Sequence, residues 1–152
     1  MTRAAAVMAV LLALAGGAGA TAPEDPRALA GQPVLALAIH PAVTLTLRQS
    51  TGGRQGAVAR LARAPGPPLR LTPDGRYLYG WGCGAATGGC AADGFFLAQD
   101  LEHEQIFVVL FEGGKSLLWV PPRASPWPAA LRAPLAAFSA EIAGRMNFAA
   151  AP

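Results

Sequence analysis

The chain has 152 residues, 53% of them hydrophobic, with 12 Lys and Arg against 9 Asp and Glu and a formal net charge of +3. That length fits one domain able to bury a real core, so a disulfide is not required merely to fold it. Apart from Lys115 the basic residues are scattered arginines, with no stripe of basic and aromatic residues, which argues against a nucleic-acid partner.

Met1-Thr2-Arg3 is a short positive start, Ala4 to Ala15 is an apolar run, and Ala18-Gly19-Ala20 ends it in small residues. This is the layout of a secretory signal peptide, so residues 1–20 are expected to be removed after Ala20. The run is shorter than the ~20 residues a spanning helix needs. No cysteine follows the cleavage site to carry a lipid. The mature protein is therefore expected to be periplasmic or secreted, with no membrane span. Loss of Arg3 lowers the net charge to about +2.

Residues 21–33 carry three prolines and read as a flexible lead-in. A single domain is expected over 34–145, with 146–152 as a loose tail. Val34 to Ile39 is apolar, and Pro41 interrupts it. Residues 42–49 alternate, Val43, Leu45 and Leu47 against Thr44, Thr46 and Arg48, which predicts a half-buried strand. Residues 50–53 are a turn. Residues 54–64 favour a short helix with Val58 and Leu61 inward, ended by the prolines of 65–68.

A β-meander follows. Leu69 and Leu71 mark a short strand, and residues 72–75 a turn. Residues 76–83 form the next strand, with Tyr77, Tyr79 and Trp81 on one face and Leu78 on the other. Residues 94–100, 105–112 and 116–120 complete it, the last two joined by a glycine turn over 113–115. Ser125-Pro126 is a good helix start. Trp127, Leu131, Leu135, Phe138 and Ile142 then line one helical face, and Pro134 is expected to kink or split the helix. The fold class is α+β: an antiparallel sheet of about five strands, helices packed on one face, and a disulfide-closed protruding loop.

Catalysis needs a constellation, and none stands out. His40 precedes a proline. His103 lies in an acidic turn with Asp100, Glu102 and Glu104, where neighbouring side chains are not expected to converge on a metal. Ser50, Ser116, Ser125 and Ser139 sit in turn, strand-start or helix contexts with no nucleophile elbow. Cys83 would need to be reduced to act as a nucleophile, which export opposes. An enzyme is not expected, nor a metal or cofactor.

The two cysteines, Cys83 and Cys90, enclose Gly84, Ala85, Ala86, Thr87, Gly88 and Gly89. Two cysteines in an oxidising compartment read as one disulfide. A ring that small stabilises by roughly 2–3 kcal/mol in the chain-entropy account. Two readings stand side by side: a staple on a floppy hairpin, or a loop preorganised to bind a partner, which lowers the entropy lost on binding.

The order Pro67 or Pro68, Leu69, Leu71, Tyr77, Cys83 and Cys90, followed by strand pairs and a final helix, resembles the periplasmic inhibitors of vertebrate lysozyme over roughly residues 64–142. The resemblance implies a helix packed on an antiparallel sheet. It makes the cysteine loop the partner-binding element, directed at a lysozyme or another peptidoglycan-cleaving enzyme. In that family the loop reads Cys-Lys-Pro-His-Asp/Asn-Cys, and its histidine enters the enzyme cleft between the catalytic carboxylates. Here residues 84–89 hold no His, Lys or Asp, and the loop is two residues longer. Thr87 and the backbone are its only donors. A non-inhibitory envelope domain, structural or binding a small molecule, is the alternative. A homodimer is compatible with either.

Overall fold

The computed structural model describes residues 24–150, so the proposed signal peptide lies outside the described residues. Five strands form one antiparallel sheet in the order of the chain. They are β1 (Arg70–Leu71), β2 (Tyr77–Cys83), β3 (Gly94–Asp100), β4 (Ile106–Glu112) and β5 (Lys115–Val120). The meander and its turns are thus those read from the sequence, with ends displaced by a residue at most among β2 to β5.

Helices cover both faces of the sheet, which corrects the expectation of one covered face. The first layer is α1 (Val34–Ala38), α2 (Pro41–Thr51) and α3 (Gln55–Ala62). Val34, Leu37, Val43, Leu47 and Leu61 pack there with Leu78, Phe95, Leu97, Val108 and Leu110. The second layer is α4 (Arg132–Phe138) and α5 (Ala140–Gly144). Trp127, Leu131, Leu135, Phe138 and Ile142 pack there with Tyr77, Phe96, Phe107 and Val109. Successive strand side chains point to opposite faces, so β3 and β4 feed both cores. Every residue of β3 is buried. A strand covered on both faces needs no polar side, so its sequence cannot show how many layers lie over it.

Residues 42–49 are not a strand but the body of α2. Val43, Leu47 and Thr51 are buried, while Leu45 is 63% exposed. A spacing of four fits a helical face as well as a strand face, and packing against β4 decides for the helix. Pro41 opens the helix, where its missing N–H costs nothing. The His40 Nδ1 accepts a hydrogen bond from the Ala42 N–H at 3.2 Å and caps the end.

Glycines let the first layer approach β2. Gly82 faces α3, and a Cβ there would meet the carbonyl oxygens of Leu61 and Ala64. The Cys83 N–H donates to the Pro65 carbonyl at 2.9 Å. The alternation Tyr-Leu-Tyr-Gly-Trp-Gly therefore puts aromatic bulk toward one layer and Leu78, Gly80 and Gly82 toward the other.

The C-terminal helix begins later than Ser125. A 3-10 turn spans Ala129–Leu131, and α4 follows. Pro134 lies in the first turn of α4, where the N–H has no intrahelical partner, so it neither kinks nor splits the helix. The break falls at Ser139, whose backbone is extended and whose Oγ accepts from the Ile142 N–H to cap α5. Both ends of the described chain are tied down rather than loose. Leu29 is buried, and Gly31 and Gln32 exchange backbone hydrogen bonds with Leu69. Trp127 exchanges backbone hydrogen bonds with Asn147 and Ala149, and Arg132 covers the Phe148 ring at 4.8 Å.

Candidate functional site

The loop between β2 and β3 begins where the ladder ends, at the register pair Cys83 and Gly94. Cys83 and Cys90 are joined by a disulfide with their Cα atoms 4.8 Å apart. The Gly84 N–H donates to the Asp93 carbonyl at 2.7 Å, which extends the ladder one step past the strands. Gly88 and Gly89 take positive φ values, 109° and 64°, and turn the chain into a short 3-10 segment over Gly89–Ala91. Only glycine enters that region freely. The Ala92 and Asp93 N–H groups close onto the Gly89 carbonyl, and the Gly114 N–H reaches the Ala92 carbonyl from the neighbouring hairpin.

A charged clamp holds the base. Arg60 of α3 binds both carboxylate oxygens of Asp93, at 2.9 and 3.0 Å, and reaches Glu112 at the end of β4 at 2.7 Å. Hydrogen bonding to Arg60 holds the Asp93 carboxyl below its ordinary range. The same bonds, from Asp93 and then Glu112, raise the Arg60 guanidinium further. Gly84 is required beside this clamp, because a Cβ there would collide with the Asp93 carboxylate. None of Arg60, Asp93 and Glu112 was singled out from the sequence. The three are brought together from distant positions, and no spacing signals it.

Above this base the tip is open. Ala85, Ala86, Thr87, Gly88 and Gly89 are exposed, and Gly84 is half-buried. Among the described residues the N–H groups of Ala85, Ala86, Thr87 and Gly88 meet no hydrogen-bond acceptor. Gly88 also borders a hollow of about 370 Å³ whose walls include Phe111, Trp119, Arg123 and Arg145. The arrangement offers hydrogen-bond donors and the Arg123 guanidinium, with Arg145 held by Glu141 of the same hollow at 2.7 Å, but no side-chain base at the tip.

The acidic turn does converge, against expectation. Asp100, Glu102 and His103 bring one ligand atom each within 4.8 Å of one another. The cation they surround is Arg76. Its guanidinium bonds Asp100 at 2.7 and 3.1 Å, meets His103 Nδ1 at 2.9 Å and lies 3.5 Å from Glu102. The cluster is a buried-carboxylate ion pair at the strand end, not an assembled base and nucleophile.

A family model described as inhibitor of vertebrate lysozyme (Ivy) matches residues 42–141. The match contains the whole sheet and the loop, and it reaches back through α3 into α2, beyond the stretch that carried the sequence resemblance. No curated protein and no solved structure gives a match.

Proposed function

The chain belongs to the family of inhibitors of vertebrate lysozyme, and from that premise we propose that it is exported and blocks a peptidoglycan-cleaving enzyme with the loop of residues 84–89. The family is one of inhibitors, not of enzymes. One observation carries the reading: the loop is anchored at its base by a disulfide, a backbone ladder and the Arg60–Asp93 clamp, while its tip stays exposed. An anchored loop loses little freedom when it binds. The disulfide also suits the oxidising compartment that export implies.

Glycan-cleaving enzymes commonly work with a pair of carboxyl groups flanking the bond they break. The loop meets that cleft with backbone N–H groups and the Thr87 hydroxyl in place of an imidazole. Arg123 in the adjoining hollow supplies positive charge at its side, Arg145 there being paired with Glu141. Arg and Trp are the side chains that most often dominate such contacts. Without the imidazole, inhibition of animal-type lysozyme is expected to be weak relative to a loop that carries one. A charge-assisted hydrogen bond contributes about 1.5–3 kcal/mol, roughly tenfold to a hundredfold in affinity.

Titration of the mature protein into an animal lysozyme and a bacterial lytic transglycosylase, followed by calorimetry and by cell-wall clearing, tests this. Binding to at least one enzyme is expected. Ala86→His should strengthen inhibition of the animal enzyme, and Ala86→Glu should abolish binding by setting carboxylate against carboxylate. Absence of binding to both enzymes, or binding indifferent to Ala86→Glu, overturns the proposal.

A further inference from the structure

The charges of this chain are unevenly placed. From Pro26 to Pro73 it has six arginines, Arg27, Arg48, Arg54, Arg60, Arg63 and Arg70, and no aspartate or glutamate. Most of this stretch is the α1–α3 layer. Arg60 is engaged by Asp93 and Glu112, and Arg27 by Asp25. Arg48, Arg54 and Arg63 have no carboxylate partner among the described residues, and Arg63 donates only to the Ala59 carbonyl of its own helix.

The same layer carries apolar surface outside its core. Ile39 and Leu45 are 64% and 63% exposed, two of the three large hydrophobic residues exposed among the described residues. Leu45 stands almost one turn before Arg48 on α2, on the side away from buried Val43 and Leu47. A groove of about 430 Å³ opens over α1–α3. Leu35, Leu47, Val58 and Ala62 give it an apolar lining, and Ile39, Arg48 and Arg63 also line it. Its volume is within the range of ordinary ligand sites.

Apolar lining, guanidinium groups and an absence of carboxylates together fit an amphiphile with an acyl chain and an anionic head. A basic amphipathic surface with exposed aliphatic residues is also what lies flat on anionic lipid. We propose that the α1–α3 layer docks on the surface of an anionic phospholipid bilayer. Ile39 and Leu45 enter the acyl boundary, the groove accepts part of a lipid chain, and Arg48 and Arg63 bind headgroup phosphate. A bilayer, not a free fatty acid, is the occupant, because Leu45 lies outside the groove and a single bound acid would leave it in water. No helix among the described residues is long and apolar enough to cross a membrane, so the contact is with the surface. This inference stands apart from the inhibitory loop, which uses none of these residues.

Co-sedimentation of the mature protein with vesicles of phosphatidylglycerol and of phosphatidylcholine tests it. Binding to phosphatidylglycerol alone, weakened at high salt, is expected. The double variant Arg48→Glu/Arg63→Glu should weaken it by more than about tenfold, since each arginine near an anionic surface contributes about fivefold. Leu45→Ser should weaken it with no change in melting temperature. These positions are exposed, so folding of the variants is checked by that same melting curve, and Arg48→Gln/Arg63→Gln replaces the double variant if it melts early. Equal sedimentation with both lipids overturns the proposal, as does no sedimentation or binding unchanged in the variants. Uptake of free laurate without vesicle binding also overturns it, and so does retention on peptidoglycan sacculi alone.

Discussion

Asp100 shows how much one side chain can contribute here. It is 2% exposed, at the end of β3. Burial works against its ionisation, but hydrogen bonds from Arg76 and from the Glu102 and His103 backbone N–H groups outweigh it, and its pKa falls from 3.8 to about 2. A depressed carboxyl stabilises the fold above its unfolded value and loses that contribution as pH falls through its folded one. The window here is from about pH 4 down to about pH 2, and the shift corresponds to about 2 kcal/mol. Urea unfolding at pH 7 and pH 2.5 should show the wild type losing about 1.5 kcal/mol more than Asp100→Asn, since pH 2.5 still lies above the folded value. Equal losses would mean that Asp100 does not carry the acid sensitivity. Gly84 illustrates the opposite kind of residue, one that matters for the atoms it lacks. The sequence shows a glycine beside a cysteine but not the Asp93 carboxylate that fills its space.

Among the elements, α2 is where local pattern and final structure part. Val43, Leu45 and Leu47 alternate with Thr44 and Thr46, which are good strand residues. Val43 and Leu47 are also one helical turn apart, so the pattern satisfies both periods. His40-Pro41 was the available helix signal, a cap followed by proline at the first helical position. The two readings predict different mutational costs. In the helix, Leu47→Ala should destabilise by about 2–5 kcal/mol, and Leu45→Ala by no more than about 0.5 kcal/mol. Chemical denaturation of both variants measures this, and similar large costs at both positions would restore the strand. The shared packing of Trp127, Leu131, Leu135, Phe138 and Ile142 was legible, because the step of three from Leu135 to Phe138 fits only the helical period. The helix start was not, because Trp127 lies before the helix and pairs with Phe148.

For the whole molecule, two cores share one sheet, and the loop hangs from the edge of both. Cys83 and Cys90 pack against the second core, while Arg60 belongs to the first layer. The fold is therefore expected to stand without the disulfide, and the shape of the loop to depend on it. Cys83→Ser/Cys90→Ser is expected to remain folded, with stability lower by roughly 2–3 kcal/mol. Enzyme binding should weaken well beyond what a small unfolded fraction explains. Circular dichroism with a binding titration separates the two effects. Binding that survives intact would show that the loop needs no bridge, and loss of all structure would show that the cores do need it.

Local chemistry alone determined the meander. Turn residues and strand alternation act over a few positions, so β2 to β5, the glycine hairpin turn and the cysteine loop could be read directly. Cysteine number determined the disulfide pairing, because only one pair exists. Tertiary structure decided the rest. The identity of α2, the second covered face of the sheet, the tethered ends and the Arg60–Asp93–Glu112 clamp all depend on residues far apart in the chain. Such contacts form only after the layers close, and a pattern that suits two periods is settled by which one buries its apolar face.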